Sequence, residues 1–154
     1  FTFKEFIPIS ARTGENVKVL VQQILQYLPA GEFLYPEDQI SDQNIRFHAQ
    51  EMIREKLYHF LGEELPYDAA VRIDDFKEEE KITRIHATIV LERDSQKAIV
   101  IGKGGEKIKQ IGTAARLDIQ KFLGKKVFLE LWCKIIPGWK ANTGFLREVR
   151  DSGA

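Results

Sequence analysis

The spacing of the apolar residues changes several times between residues 42 and 136, which constrains the fold more than any other feature of the sequence. In some stretches apolar side chains recur every three or four positions, which predicts a helix with one buried face. In others they alternate with polar residues, which predicts a strand with one buried face. The helical stretches are 45–61, 94–101 and 106–123, and the alternating ones are 71–73, 85–91 and 127–135. The order α-β-β-α-α-β predicts an α+β domain with a three-stranded sheet and helices on one face.

The first 41 residues follow a separate pattern. Phe3–Ile9 is predicted as a short strand, and a helix is predicted from Glu15 until Pro29 ends it. Residues 31–41 contain glycine and proline and are interpreted as a linker, so a domain boundary is placed there. The predicted organisation is a first unit at 1–30, the linker at 31–41, a domain at 42–136 and a C-terminal tail at 137–154.

The ends of the helices are predicted from polar residues and glycines. Ser41 or Asp42 is expected to cap the helix at 45–61, and Asp94 or Ser95 the helix at 94–101, because such side chains accept bonds from free backbone N–H groups. The tail is polar, and one short helical turn is expected around Phe145–Val149.

The composition describes a globular chain. Of 154 residues, 44% are hydrophobic and 30% are charged, so the chain can bury a core. A single cysteine excludes an internal disulfide framework and fits a reducing compartment. No apolar run approaches the roughly 20 residues of a bilayer span, and the first residues do not resemble a signal peptide. Because the chain begins at Phe1 without methionine, we expect it to be part of a longer protein.

The net charge is zero, but the charges are distributed unevenly. Residues 93–126 hold nine basic and three acidic residues, a net charge of +6, and the remainder carries −6. A polyanion responds to the local potential, so this basic block is a candidate nucleic-acid contact. A solvated basic helix face is the alternative interpretation.

The glycine-rich stretch at residues 102–105 lies between two predicted helices. Glycines let a phosphate approach the backbone, and the start of the following helix favours an anion. Nearby lysines add positive charge, and isoleucines offer a surface on which unstacked bases can lie. A tight helix–helix turn without any ligand is the alternative. The candidate RNA-binding residues are Gly102, Lys103, Gly104, Gly105, Lys107, Lys109, Ile99, Ile101 and Lys97.

With the apolar Ile99–Ile101 before it, Ile108-Lys109-Gln110-Ile111 after it and the strand order around it, this loop resembles that of KH domains. In that family a G-x-x-G loop clamps a short stretch of RNA backbone. The helix-first order is similar to the type II arrangement. The resemblance covers about residues 42–136 and implies single-stranded RNA binding.

Further segments are similar to the C-terminal half of the Era family of bacterial GTPases. Phe6–Gly14 is similar to the last strand and the fifth guanine-nucleotide motif of that family, so Ser10 and Ala11 map to the turn that closes over the guanine base. The other similar segments are Pro36-Glu37-Asp38, Ile40-Ser41-Asp42, Ile53-Arg54-Glu55-Lys56-Leu57, Glu64-Leu65-Pro66-Tyr67 and Leu129-Glu130-Leu131-Trp132.

This second resemblance implies that residues 1–30 are the last strand and helix of a P-loop GTPase domain. It implies a cytoplasmic, GTP-regulated factor for small ribosomal subunit assembly, whose KH domain binds the single-stranded 3′ end of small-subunit ribosomal RNA. GTP and Mg²⁺ would be cofactors of the longer protein and not of this chain. Peripheral membrane association of the longer protein is also compatible with it.

The chain itself lacks the parts of a GTPase. It contains no G-x-x-x-x-G-K-[ST] loop to hold phosphates and no Asn-Lys-x-Asp to select guanine, so it is expected to be inactive alone. His48 and His59 are eleven positions apart on a helix, which is too far for one metal ion. His86 and Cys133 have no ligand-spaced partners, so no metal site is predicted.

Two other hypotheses remain open. The domain could dock on ribosomal proteins without direct RNA contact, using its acidic remainder, or the chain could be a GTPase in its own right. Trp132 and Trp139 are expected to pack against the C-terminal segment, with stacking on RNA bases as the alternative.

Overall fold

The computed structural model describes residues 2–32, 44–62 and 68–152. The chain divides into two compact units, 1–40 and 41–154, and each is described by itself. The predicted linker at 31–41 and the proposed caps Ser41 and Asp42 lie almost entirely outside the described residues. None of the helices in the described ranges is both long enough and apolar enough to cross a membrane.

Among its described residues, 2–32, the first unit contains one helix, α1 (Val17–Tyr27), which ends just before Pro29 as predicted. The predicted strand at Phe3–Ile9 is wrong: these residues form no strand. A strand requires a neighbour for its backbone hydrogen bonds. Among the described residues of this unit, the β-type pairing is a single bridge between Ser10 and Glu15.

The second unit confirms the predicted order of elements. Helix α2 (Ile45–Phe60) is followed by β1 (Ala70–Glu78), β2 (Ile82–Leu91), α3 (Asp94–Ile101), α4 (Glu106–Leu123) and β3 (Lys126–Ile135). The predicted α+β class is therefore confirmed: a three-stranded sheet has helices α2, α3 and α4 on one face.

The three strands form a sheet in the order β1-β2-β3. Strands β1 and β2 are antiparallel, with an irregularity between Ile73 and Asp75, whereas β2 and β3 are parallel and paired over their full length. A parallel pair needs a long crossover, and here α3, the glycine loop and α4 provide it. The loop therefore lies inside the connection between two neighbouring strands, and β3 lies at the edge of the sheet.

The main core lies between the sheet and helices α2, α3 and α4. Alternate residues of β2 point into it, and each is fully buried, as the period of two requires. The largest of its fully buried side chains are Ile53, Leu57, Val71, Ile85, Ile89, Leu91, Val100, Ile111 and Ile119. Burial on this scale is the main favourable contribution to folding.

The predicted N-terminal caps of α2 and α3 differ from those in the structure. The side chain of Asn44 caps α2, accepting a 2.9 Å bond from the N–H of Phe47. At α3 neither Asp94 nor Ser95 is the cap, because the helix already begins at Asp94; instead Gln96 Oε1 accepts a 3.0 Å bond from the N–H of Arg93. Gly124 ends α4 as predicted, in the left-handed conformation with φ 67°.

The C-terminal segment forms a ten-residue helix, α5 (Thr143–Ser152), and not a single turn. Phe145 is buried against Trp139, with ring centroids 6.2 Å apart, on the sheet face opposite the main core. The Ser152 hydroxyl accepts from the N–H of Ile73 at 3.2 Å and donates to Gln50 Oε1 at 3.2 Å. These tertiary contacts extend a helix whose polar sequence predicts little by itself.

Candidate nucleic-acid interface

The glycine loop turns the chain sharply between α3 and α4. The N–H of Gly102 donates to the carbonyl of Ala98 at 2.9 Å and closes α3. The N–H of Gly105 donates to the carbonyl of Gly102 at 3.2 Å, and α4 begins at the next residue. The N–H of Glu106, the first residue of α4, donates to the carbonyl of Lys103. The next N–H groups of α4 follow directly after the loop, in the first turn, where a helix leaves donors without intrahelical partners.

Each glycine of the loop has a positive φ, a backbone conformation that favours glycine. Gly102 has φ 71° and ψ 177°, a region that essentially only glycine occupies, and a Cβ there would lie 2.6 Å from the Cβ of Lys107. Gly104 and Gly105 also have positive φ, of 60° and 82°, but a Cβ on either would meet open space. Their missing side chains leave bare backbone at the surface.

The lysines of the basic block surround this loop. Lys103 lies exposed at its tip, Lys109 is exposed on α4, and Lys97 and Lys107 are half-buried. In the part of the chain that the structure describes, none of these four side chains forms an ion pair, so their charges are available to a ligand. The exposed Glu106 in the first turn of α4 opposes them.

The two predicted isoleucines differ in exposure. Ile99 is 54% exposed, Ile101 is half-buried, and Val100 between them is fully buried in the core. Core packing of Val100 thus turns Ile99 outward on the last turn of α3. An apolar surface therefore lies directly before the loop, as predicted.

A groove runs between α4 and the edge strand β3. Helix and strand approach closely at Gly112, where a Cβ would lie 3.4 Å from Leu131 Cδ1. Its lining residues are Ile108, Lys109, Gly112, Thr113, Arg116, Leu129, Glu130 and Leu131. Of the predicted site residues, only Lys109 lines this groove. The alternation in β3 predicted core positions, but Leu129 and Leu131 are half-buried, because β3 has a neighbouring strand on one side only.

Cys133 is a packing residue and not a reactive thiol. It packs against the main core, and burial raises the pKa of its thiol to about 11, with the charge of Lys97 acting weakly in the opposite direction. The thiolate is therefore scarce at neutral pH.

Ser10 and Ala11 belong to the first unit of the chain, and the glycine loop belongs to the second. The Ser10 hydroxyl accepts a 3.2 Å bond from the N–H of Thr13, and the Ser10 N–H donates to the carbonyl of Glu15 at 3.2 Å. These local bonds hold the turn in shape, but the sequence supplies no phosphate loop beside it. A nucleotide-binding role of Ser10 and Ala11 therefore stays a prediction.

The described residues contain no group of three or more histidine, cysteine or acidic side chains that could hold a metal ion. His86 Nδ1 instead contacts Glu130 Oε2 at 2.8 Å on the sheet.

Comparisons with known proteins support one family. The KH domain family model matches residues 56–140. GTPase Era of Coxiella burnetii (strain Dugway 5J108-111) is 50% identical over 149 residues, which are 97% of this chain and 50% of the relative. GTPase Era of Neisseria meningitidis serogroup A is 45% identical over 149 residues, 97% of this chain and 48% of the relative. The chain thus spans about half the length of the curated relatives it matches.

Two solved structures are also similar. One is a variant of Aquifex aeolicus Era bound to GDP and AlF4⁻, with a TM-score of 0.87 and 40% identity, covering 95% of this chain and 50% of that chain. The other is Era in complex with MgGDPNP and nucleotides 1506–1542 of 16S ribosomal RNA. It has a TM-score of 0.87 and 40% identity, and the match covers 95% of this chain and 49% of that chain. The predicted resemblance to Era-type GTPases is confirmed.

Proposed function

This chain belongs to the KH domain family, and from that premise we propose that it binds single-stranded RNA along the glycine loop and the neighbouring groove. The observation that carries the proposal is the bare backbone of Gly104, which is exposed, and of Gly105, where a Cβ would meet open space, directly before the first turn of an 18-residue helix. In this proposal Gly102, Lys103, Gly104 and Gly105 hold the RNA backbone.

The phosphate contacts follow from charge and hydrogen bonding. The N-terminus of α4 offers backbone donors and the positive end of the helix dipole. Lys103 and Lys109 are exposed, and Lys97 and Lys107 are half-buried beside them. Because these lysines form no ion pairs in the described ranges, a phosphate does not compete with an internal carboxylate for them.

The base contacts follow from the apolar surfaces. Ile99 and Ile101 lie before the loop, and the groove along β3 is lined by Ile108, Leu129 and Leu131. A base can reach these side chains only if it is unstacked from a helix. The arrangement therefore favours a single strand over a duplex.

The solved Era complex with nucleotides 1506–1542 of 16S ribosomal RNA supports a more specific target. By similarity, we extend the proposal to the 3′ end of small-subunit ribosomal RNA and to a role in assembly of that subunit in the cytoplasm. The longer protein would bind GTP and Mg²⁺, with Ser10 and Ala11 at the guanine base. Peripheral membrane association remains a prediction of the resemblance alone.

The proposal is tested by titrating the chain with labelled single-stranded RNA of the 16S 3′ sequence. The double variant Lys103→Asp, Gly104→Asp places carboxylates at the loop, and aspartate tolerates the left-handed conformation of Gly104. We expect its affinity to fall at least about tenfold and the wild-type affinity to fall with rising salt, since bound phosphates release counterions.

The matched control is Lys18→Asp, Gly31→Asp, which changes the charge equally in the first unit. Lys18 is exposed, and a Cβ at Gly31 meets open space. Equal affinity of the loop variant and the control would contradict the proposal. Binding to ribosomal proteins that survives both RNase treatment and the loop substitutions would favour the docking hypothesis.

A further inference from the structure

The sheet has a second face, opposite helices α2, α3 and α4. Residues of β3 alternate between the two faces: Leu129 and Leu131 line the groove, and Phe128 and Trp132 lie on the opposite face. The cluster of Trp139 and Phe145 covers this second face where it packs on Ala70 and Val90. The end of the face nearest the β3 edge is exposed.

Two aromatic rings occupy this exposed part. Trp132 is 58% exposed and Phe128 is 42% exposed, so the prediction that Trp132 packs against the C-terminal segment is wrong. Trp139, by contrast, does pack there and is 7% exposed. The Phe128 ring lies 6.0 Å from the ring of His86, and the Arg84 guanidinium lies 5.7 Å from its centroid. The face thus presents flat π surfaces beside a planar cation.

The charges of this face favour a polyanion over an acidic or neutral partner. Three carboxylates form ion pairs with basic side chains of this face: Glu79 with Arg84 at 3.0 Å, Asp74 with Arg72 at 2.8 Å and Asp75 with Lys77 at 3.2 Å. Glu130 contacts His86 at 2.8 Å, and this contact neutralises the carboxylate only when the histidine is protonated. Lys126 and Lys134 are exposed on β3 and form no ion pair within the described ranges. Lys126 and Lys134 outnumber Glu130 along this edge, so the edge carries a net positive charge.

The face is continuous with the proposed RNA groove. Glu130 lines the groove and at the same time contacts His86 on the second face. The groove and the aromatic face therefore meet at the edge of the sheet, along β3. A strand of RNA that leaves the groove across this edge arrives beside Trp132.

We propose that Trp132 and Phe128 form a second subsite, which stacks bases of the same single-stranded RNA after it passes around the β3 edge. Lys126 and Lys134 contact the phosphates between the two subsites. This inference rests on the proposed function, and it assigns the aromatic face to nucleotides that flank those held in the groove. Stacking of this kind tolerates any base, because every base has a π face.

The test compares two RNA lengths. One oligonucleotide has about four nucleotides, the stretch that a G-x-x-G loop clamps, and the other extends it to about ten. We expect wild type to bind the longer RNA more tightly. Trp132→Thr, which suits an edge strand, should weaken binding of the longer RNA at least about fivefold and leave the shorter within about twofold.

Two controls separate stacking from a change in fold. Phe122→Thr removes an aromatic ring that is 48% exposed on α4 and should leave both affinities unchanged. Trp132→Phe keeps a stacking surface and should retain most of the gain with length. In wild type, the longer RNA should quench tryptophan fluorescence more than the shorter, and Trp132→Phe should lose that extra quenching.

Equal wild-type affinity for the two lengths would overturn the subsite and leave the proposed function standing. The same conclusion follows if Trp132→Thr lowers the affinity for both RNAs equally, or if it lowers only the affinity for a protein partner. If wild type binds neither RNA, both the proposed function and the subsite fail. The loop variant Lys103→Asp, Gly104→Asp should instead weaken both lengths, which distinguishes the two sites.

Discussion

Helices α1 and α4 carry apolar stripes of the same kind but have different surroundings. In α4, Ile111, Ala115 and Ile119 are fully buried against the sheet and α2. In α1 no residue is buried: Ile24 is 48% exposed and Leu25 is 64% exposed. The two helices belong to different units of the chain.

The difference shows that an amphipathic pattern describes only one side of an interface. The stripe on α4 stabilises the fold because a sheet and a second helix cover it. An isolated helix shorter than about 12–15 residues is marginally stable in water, and α1 has 11 residues. Mutations in the two units should therefore have different consequences for stability.

The largest expected difference comes from truncating one apolar side chain in each helix. Ile119→Ala should lower the free energy of unfolding of the second unit by about 2–5 kcal/mol, because it leaves a cavity in a closed core. Leu25→Ala should change it by less than about 0.5 kcal/mol, because its side chain is already largely in water. Urea denaturation followed by circular dichroism measures both. A large loss for Leu25→Ala would show that the stripe of α1 is buried in solution.

Glycines with positive φ offer a sharper comparison. Gly102→Ala should destabilise the second unit by about 1–3 kcal/mol, because its φ of 71° suits only glycine and its Cβ would meet Lys107. Gly14 has a similar φ of 77°, but a Cβ there meets open space in the first unit. Gly14→Ala should leave the urea transition of the second unit unchanged, and a shift as large as that of Gly102→Ala would contradict this expectation.

The smallest effect concerns pH. Hydrogen bonding from Lys140 lowers the pKa of the Asp68 carboxyl, with a further bond from Gln96. A lowered folded pKa contributes stability that is present above the unfolded pKa, about 3.9, and is lost as pH falls through the folded value. At pH 7 the free energy of unfolding of wild type should exceed that of Asp68→Asn by about 0.2–1 kcal/mol, the value of a surface ion pair. In acid the two free energies should converge.

Thermal unfolding at several pH values measures this convergence. Glu5→Gln is the matched control in the first unit, where Glu5 accepts a 3.4 Å bond from the Tyr27 hydroxyl. It should not change the transition of the second unit at any pH. A difference between wild type and Asp68→Asn that grows as pH falls would contradict the assigned sign.

The sequence predicts best where a residue's environment is set by its own element. The bounds of α4 are as expected, because Glu106 follows the glycine loop, Gly124 ends the helix and the stripe between them has one period. The alternating residues of β2 are all buried, as predicted, because the sheet is covered on that face.

The predictions from sequence are wrong where the environment of a residue depends on a segment that is distant in the chain. Phe3–Ile9 has the composition of a strand, but pairing depends on a neighbour that local sequence does not reveal. Phe145 and Val149 are four positions apart and lie on the same side of the ten-residue helix α5. They are apolar contacts of this helix only because it packs on the second face of the sheet. Trp132 and Trp139 are close in sequence, but Trp139 is buried and Trp132 is exposed. Trp139 packs against Phe145 of α5, whereas Trp132 lies on the part of the sheet that α5 does not cover. Apart from Lys109, the groove residues of α4 and β3 were not predicted as site residues, for the same reason.

The position of β3 at the edge of the sheet has a consequence for the protein's behaviour in concentrated solution. Its outer backbone N–H and C=O groups form a template to which a strand of another molecule can add. Lys126, Glu130 and Lys134 place alternating charges along that strand, and such charges oppose the stacking of identical edges. The exposed β3 edge, which a ligand can reach, therefore also carries charged side chains that disfavour self-association.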